Sequence, residues 1–209
     1  MGHALSGCGE LPRDDLLGGK FARTEDYSRD DLPPVTLTTD ANGGYSYGGA
    51  ITGQNYRIVE TQPTGLADGQ ENTSNRITLT NLPAAGSSGN DFGELAASLS
   101  GSVWLDANNN GVREASENGI AGVSVSLPAG TLDALGNAVA AAVTDANGAY
   151  RFGDLLAGTY AVTQQAAQPV YGGVTTHNGI TTAGTTGGTV TPVATVPSAI
   201  SDITLSAGG

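Results

Sequence analysis

Apolar and polar positions alternate in short runs along most of this chain, the spacing of half-buried β-strands. Val123, Val125 and Leu127 alternate with Ser124 and Ser126. In the run before them, Val103 and Leu105 share one face, with Ser102 and Trp104 on the other. Tyr150 points with Phe152 and Tyr160 with Val162, while Ile77 and Leu79, then Ile203 and Leu205, each mark a closing strand. No stretch has convincing helical spacing. About seven short strands per ~100 residues, parted by turn chemistry, predict an all-β sandwich architecture.

The pattern also repeats. Thr39-Asp-Ala-Asn-Gly-Gly-Tyr-Ser-Tyr47 recurs as Thr144-Asp-Ala-Asn-Gly-Ala-Tyr-Arg-Phe152, and each copy is followed by a Tyr-led strand at Tyr56 or Tyr160. Asp-Ala-Asn-Gly is turn chemistry, because Asn and Gly tolerate positive φ. A period this long predicts tandem domains rather than a solenoid. Residues 97–209 form the near-complete copy. Residues 30–96 form a partial copy that lacks a recognisable opening half. Residues 1–29 show neither alternation nor helical spacing and are set apart as an unassigned N-terminal segment.

Charge and composition narrow the partners. The formal net charge is −12, and four of the eight basic residues (Arg13, Lys20, Arg23 and Arg29) lie in the first 29 positions. Nucleic acid and anionic lipid both require clustered Lys and Arg, so neither is expected as a partner. Tyr, Phe and Trp make up 5% of the chain, so the core must rest mainly on Val, Ile, Leu and Ala. The single cysteine, Cys8, excludes an internal disulfide framework. No apolar run approaches the ~20 residues that span a bilayer, and membrane insertion is not expected. Leu5-Ser6-Gly7-Cys8 resembles a lipoprotein cleavage box and Met1-Gly2 with Ser6 a myristoylation pattern, but neither a signal peptide nor an anchor is visible.

One stretch is longer than a turn requires. Asp106-Ala-Asn-Asn-Asn-Gly-Val-Arg-Glu-Ala-Ser-Glu117 places oxygen-bearing side chains at positions 1, 3, 5, 9 and 12: Asp106, Asn108, Asn110, Glu114 and Glu117. Gly111 holds position 6 and the Val112 carbonyl can serve at position 7. This satisfies the calcium-loop pattern D-x-[DN]-x-[DN]-G-x5-E. A hard dication takes six to eight oxygens, and alternate side chains of a curling loop converge on one centre. An Asn/Gly-rich turn that binds nothing would explain the asparagines, but neither the length nor Glu117. The flanks read as strands rather than helices, so the expected Ca2+ would brace a hairpin.

Gly101-Ser-Val-Trp-Leu-Asp106, this loop, Glu117-Asn-Gly-Ile-Ala-Gly-Val-Ser-Val125, the Thr144–Phe152 motif and Gly158-Thr-Tyr-Ala-Val162 together resemble the B repeats of the serine-aspartate-repeat surface proteins. Gly89-Asn-Asp-Phe-Gly93-Glu resembles that family's inter-repeat join. These SdrD B-like domains are related to collagen-adhesin B-type domains. The resemblance implies tandem Greek-key, prealbumin-like (Cna-B-like) β-sandwiches, the first incomplete. It further implies a calcium-binding spacer, extracellular or on a bacterial cell surface, strung with neighbouring repeats of the same polypeptide into a stalk. Glu114 stands where an aspartate is more usual, which favours coordination through water there. Some B-type relatives carry a Lys–Asn isopeptide bond; Lys20 is the only lysine and lies outside both copies, so the complete copy cannot form one.

Two rival readings remain. An enzyme would need more than His3 and a lone His177 in a Thr/Gly-rich loop, and no nucleophile elbow, phosphate loop or His-x-x-x-His spacing accompanies them. No enzymatic activity is expected. The other rival is an adhesive module that binds a host or matrix protein or a glycan, with Trp104 or Tyr171 stacking on a ring; a buried Trp104 would favour the stalk. Asn72-Thr73-Ser74 also fits a glycosylation sequon.

Overall fold

Strands form in the second half of the chain largely where the alternation places them, and no helix accompanies them among the described residues. The computed structural model describes residues 18–23, 34–70, 75–193 and 195–209, the strand at 18–23 by its backbone alone. Met1–Leu95 and Ala96–Gly209 are two separate compact units. The sequon at 72–74, Cys8 and His3 lie outside the described residues.

The first unit holds β1 (Gly18–Arg23), β2 (Val35–Thr38), β3 (Tyr56–Thr61), β4 (Ala67–Asp68), β5 (Arg76–Leu79) and β6 (Glu94–Leu95). Its antiparallel sheet runs in the order β2-β1-β3-β5, with β4 and β6 as a separate two-stranded ladder. β1 falls within residues 1–29, which the sequence reading left unassigned. Gly18 through Arg23 pair with Thr61 through Tyr56 on one side, and Gly18 through Phe21 with Thr38 through Val35 on the other. A Gly-Gly-led segment held by main-chain bonds on both edges needs no alternating side chains, so it left no periodic signal. Tyr56 and Ile58 bury on one face with Ala50 and Leu82, and Tyr45, Tyr47 and Phe92 pack against them.

The second unit holds β7 (Ala97–Ser102), β8 (Ser124–Ser126), β9 (Ala142–Val143), β10 (Ala149–Leu155), β11 (Gly158–Gln164), β12 (Val170–Tyr171), β13 (Val174–Thr175), β14 (Thr189–Val190) and β15 (Ala199–Leu205). One sheet pairs β7 with β10; the other runs β14-β15-β11-β8-β9. Leu99, Phe152 and Leu155 from the first sheet meet Val125, Val162, Ile203 and Leu205 from the second in one core. This is a β-sandwich, and the expected alternation is met: Val123, Val125 and Leu127 are buried, whereas Ser124 and Ser126 are half-exposed. Each such aliphatic side chain contributes about 1.5–3 kcal/mol on burial. Tyr150 lies edge-on to Phe152 with ring centroids 6.0 Å apart and packs against this core.

The repeated Asp-Ala-Asn-Gly turns are built alike. Asp40 Oδ1 accepts the N–H groups of Asn42 and Gly44, both at 2.8 Å; Asp145 Oδ1 accepts those of Asn147 at 2.8 Å and Ala149 at 2.9 Å. Asp133 forms a third such turn, its Oδ1 accepting from Leu135 and Asn137. In each, the aspartate side chain satisfies main-chain donors that the tight reversal takes away from the sheet.

Candidate metal centre

The loop after β7 closes on itself through its own acidic ends. Glu117 is only 9% exposed. Its Oε1 accepts the Ala107 N–H at 2.8 Å and its Oε2 the Glu114 N–H at 3.2 Å, so the last position of the loop clips the second and ninth. At the other end Asp106 Oδ1 accepts from Asn110 N–H at 3.1 Å and Oδ2 from Gly111 N–H at 2.8 Å. Asn108 Oδ1 accepts the Asn110 N–H at 3.1 Å, and Asn110 Oδ1 the Val112 N–H at 2.7 Å. Gly111 sits at φ +73°, and a Cβ there would come within 2.6 Å of Ile180 Cγ2, so both conformation and space demand glycine.

Three side chains converge at the loop's centre. Asn110 Nδ2 donates to Glu114 Oε1 at 2.6 Å, and Asn108 Nδ2 reaches the same oxygen at 3.4 Å. The Asn110 bond, with smaller contributions from Glu117 and Asn108, holds the Glu114 carboxyl below its usual range, against burial, which pushes it up. Its other oxygen, Oε2, is buried with no hydrogen-bond partner. Among the described residues no group of three or more His, Cys, Asp and Glu side chains stands at metal-holding distance. The loop's donors are instead mixed: carboxylates of Asp106, Glu114 and Glu117, amides of Asn108 and Asn110, and main-chain oxygen at Val112, whose side chain is exposed. Oxygen-only donors of this kind suit a hard cation.

The hairpin expected from the flanking strands takes a different form. Leu105 N–H donates to the Asn118 carbonyl and Ile120 N–H to the Val103 carbonyl, both at 2.9 Å, around a single bridge between Trp104 and Gly119. Beyond it the two flanking strands part: β7 joins β10, and β8 joins β9 and β11 in the opposite sheet. Alternation reveals strands, not which sheet they enter. The loop therefore ties the two layers of the sandwich together at one end.

Two distant segments brace it, and neither was legible as part of the site. Thr182 Oγ1 donates to the Gly111 carbonyl at 2.8 Å. The Arg113 guanidinium donates to the Asn147 carbonyl at 2.9 Å, joining the loop to the repeated turn. Behind that bond, backbone meets backbone: a Cβ on Gly119 would overlap the Asn147 carbonyl, and one on Gly148 would overlap the Val103 carbonyl. Thr144, the first residue of the repeat motif, is buried; its Oγ1 accepts the Val123 N–H at 2.9 Å and donates to the Ile120 carbonyl at 2.7 Å. The Asn-Gly dipeptides were the available signal for the close contact. Nothing in the sequence announced Thr182.

Among the described residues, the other singled-out side chains make no hydrogen bond to this cluster. His177 is exposed. Trp104 and Tyr171 are half-buried rather than set on an open aromatic face, and the indole Nε1 of Trp104 is buried.

Comparison with known proteins bears on the same region. The family model described as SdrD B-like domain matches residues 97–208. A bone sialoprotein-binding protein of Staphylococcus aureus is 31% identical over 138 residues, and a serine-aspartate repeat-containing protein E of the same species is 32% identical over 138 residues. In both cases the match takes in 61% of this chain and spans 12% of the relative's length. Among solved structures, the Bacillus anthracis TIE protein is similar over 72% of this chain and 25% of its own, with 12% identity and a TM-score of 0.35, too weak a likeness to argue from.

Proposed function

The chain belongs to the SdrD B-like domain family, which is not a family of enzymes, and from that premise we propose that it is a calcium-binding spacer module. Its setting is the surface of a bacterium or a protein secreted from one. The observation that carries the calcium reading is the loop's centre, where Glu114 Oε2 is buried without a hydrogen-bond partner beside the amides of Asn108 and Asn110. A buried carboxylate oxygen left unmatched is costly, and a cation supplies the missing partner.

Asp106, Asn108, Asn110, Glu114 and Glu117 would hold the ion, with the Val112 carbonyl. A half-turn about Cβ–Cγ would turn the Asn108 and Asn110 amide oxygens toward the ion, and the Asn110 and Val112 N–H groups they now accept from would then lose these acceptors. The ion supplies charge neutralisation and cross-linking, not chemistry. Because the loop joins β7 to β8 across the two sheets, its stiffening is felt by the whole sandwich end. Repeats stiffened in this way form a rod, and their partners are the neighbouring repeats of the same polypeptide. One relative is named for binding bone sialoprotein; in the parent of this chain, binding of a host or matrix protein falls to another domain that the rod holds out.

Calorimetric titration with Ca2+, and with Mg2+ as control, tests the site. The reading requires saturable calcium binding at a Kd of roughly 10⁻⁴–10⁻³ M, lost in Glu117→Gln. Small-angle scattering with and without chelator tests the rod: unchanged curves would refute stiffening while leaving the site intact.

A further inference from the structure

A cavity of 840 Å³ opens in the second unit along β7. Its lining joins β7, most of residues 174–187 and an apolar floor of Val125, Val162, Ile203 and Leu205. What distinguishes it from an ordinary cleft is the main chain of β7. Among the described residues β7 has one strand partner, β10. Val103 N–H donates to the Gly148 carbonyl, which sets the phase of that ladder: odd-numbered residues bond toward β10, and Ser98, Ser100 and Ser102 turn their N–H and C=O groups outward. Ser98 N–H already finds a main-chain acceptor on this side, the Gly209 carbonyl at 2.9 Å. Among the described residues Ser100 and Ser102 meet no strand there, and both line the cavity. So does Trp104, whose buried indole N–H has no acceptor.

We propose that this slot receives an extended segment of a different polypeptide, which adds as a strand along the free edge of β7. Outward donor–acceptor pairs on alternate residues, about 7 Å apart, are matched by the main chain of an extended peptide. A compact apolar molecule would cover the floor and leave those polar groups dry, at a cost that disfavours it. The floor takes every second side chain of the incoming strand, which is therefore apolar at alternate positions. Carboxylate, guanidinium and imidazole side chains enter the lining only at Asp106, Arg113 and His177, so the segment is uncharged along its middle. The outward groups of Ser100 and Ser102 set its register, and the six residues of β7 bound its length.

The test pans displayed random hexapeptides against the whole chain, and measures affinity by the fluorescence of Trp104, the only tryptophan. The expected consensus alternates apolar with small polar residues. Ser100→Pro removes one outward N–H without touching the ladder to β10, so it weakens binding about tenfold and leaves the melting curve in place. N-methylation of the selected peptide at alternate residues gives one set of analogues that bind and one that does not, a readout that survives if the proline variant fails to fold. Failure to select a binder, or binders indifferent to both changes, overturns the proposal. A concentration-dependent dimer abolished by Ser100→Pro would overturn it too, assigning the edge to a second copy of the chain.

Discussion

Replacing Glu117 by glutamine causes two losses that melting experiments can separate. The first needs no metal. Glu117 clips the loop by accepting the N–H groups of Ala107 and Glu114 through its two carboxylate oxygens. Glutamine keeps one acceptor and turns an NH2 group toward the other donor, so one charge-assisted bond is lost in a nearly buried place, about 1–3 kcal/mol. For a unit the size of Ala96–Gly209, ~4 °C of melting temperature corresponds to each kcal/mol, which places the variant about 4–12 °C below the parent in chelator. The second loss is linkage. At 1 mM calcium, a site with Kd of 10⁻⁴–10⁻³ M adds about 0.4–1.4 kcal/mol to the parent, or about 2–6 °C. The variant should gain less than about 1 °C. Trp104 lies in the second unit, so its fluorescence follows this unit's melting in the intact chain. A parent whose melting ignores calcium, or a variant that gains as much as the parent, would refute the reasoning.

Thr144→Val keeps the shape of a buried side chain but strands the Val123 N–H and the Ile120 carbonyl, and should cost about 2–4 kcal/mol in denaturant unfolding. Gly148→Ala forces a Cβ into the Val103 carbonyl at φ +75°, with no side chain free to yield, so a loss of about 3–5 kcal/mol or failure to fold is expected from the same assay. Tyr45, whose hydroxyl donates to the Asn90 carbonyl, has its pKa pushed up to about 12 by burial, then by Asp91 and Glu60. Its neutral form is favoured by folding, so the stability it contributes is complete below pH 10 and fades as pH rises toward 12; burial also raises Tyr150 and Tyr160, so absorbance titration should show a late-ionising group of tyrosines whose amplitude falls by one in Tyr45→Phe.

How much of this was legible beforehand depended on where the information lay. Val123, Val125 and Leu127 announced their strand because one face of it is buried, and burial imposes a period of two. The Asp-Ala-Asn-Gly turns announced themselves because their hydrogen bonds run between residues two and four apart. The loop from Asp106 to Glu117 was visible for the same reason: its donors are contiguous. β1 was not, since its membership comes from pairing with β2 and β3 and not from its own side chains. Nor could β7 and β8 be assigned to opposite sheets, because register across a sandwich is a long-range property. Thr182 was invisible for a similar reason, acting on Gly111 from 71 residues away.

The contact of Gly119 with the 145–148 turn bears on anyone wishing to graft this loop elsewhere. The twelve residues are not a self-sufficient cassette. Their exit is seated against a backbone that tolerates no side chain, and Arg113 reaches the same carbonyl. A host scaffold given Asp106 to Glu117 alone would offer the oxygens without the abutment that keeps the loop's end in place. The smallest transferable part is therefore discontinuous: the loop, Gly119 and the Asp-Ala-Asn-Gly turn, moved together.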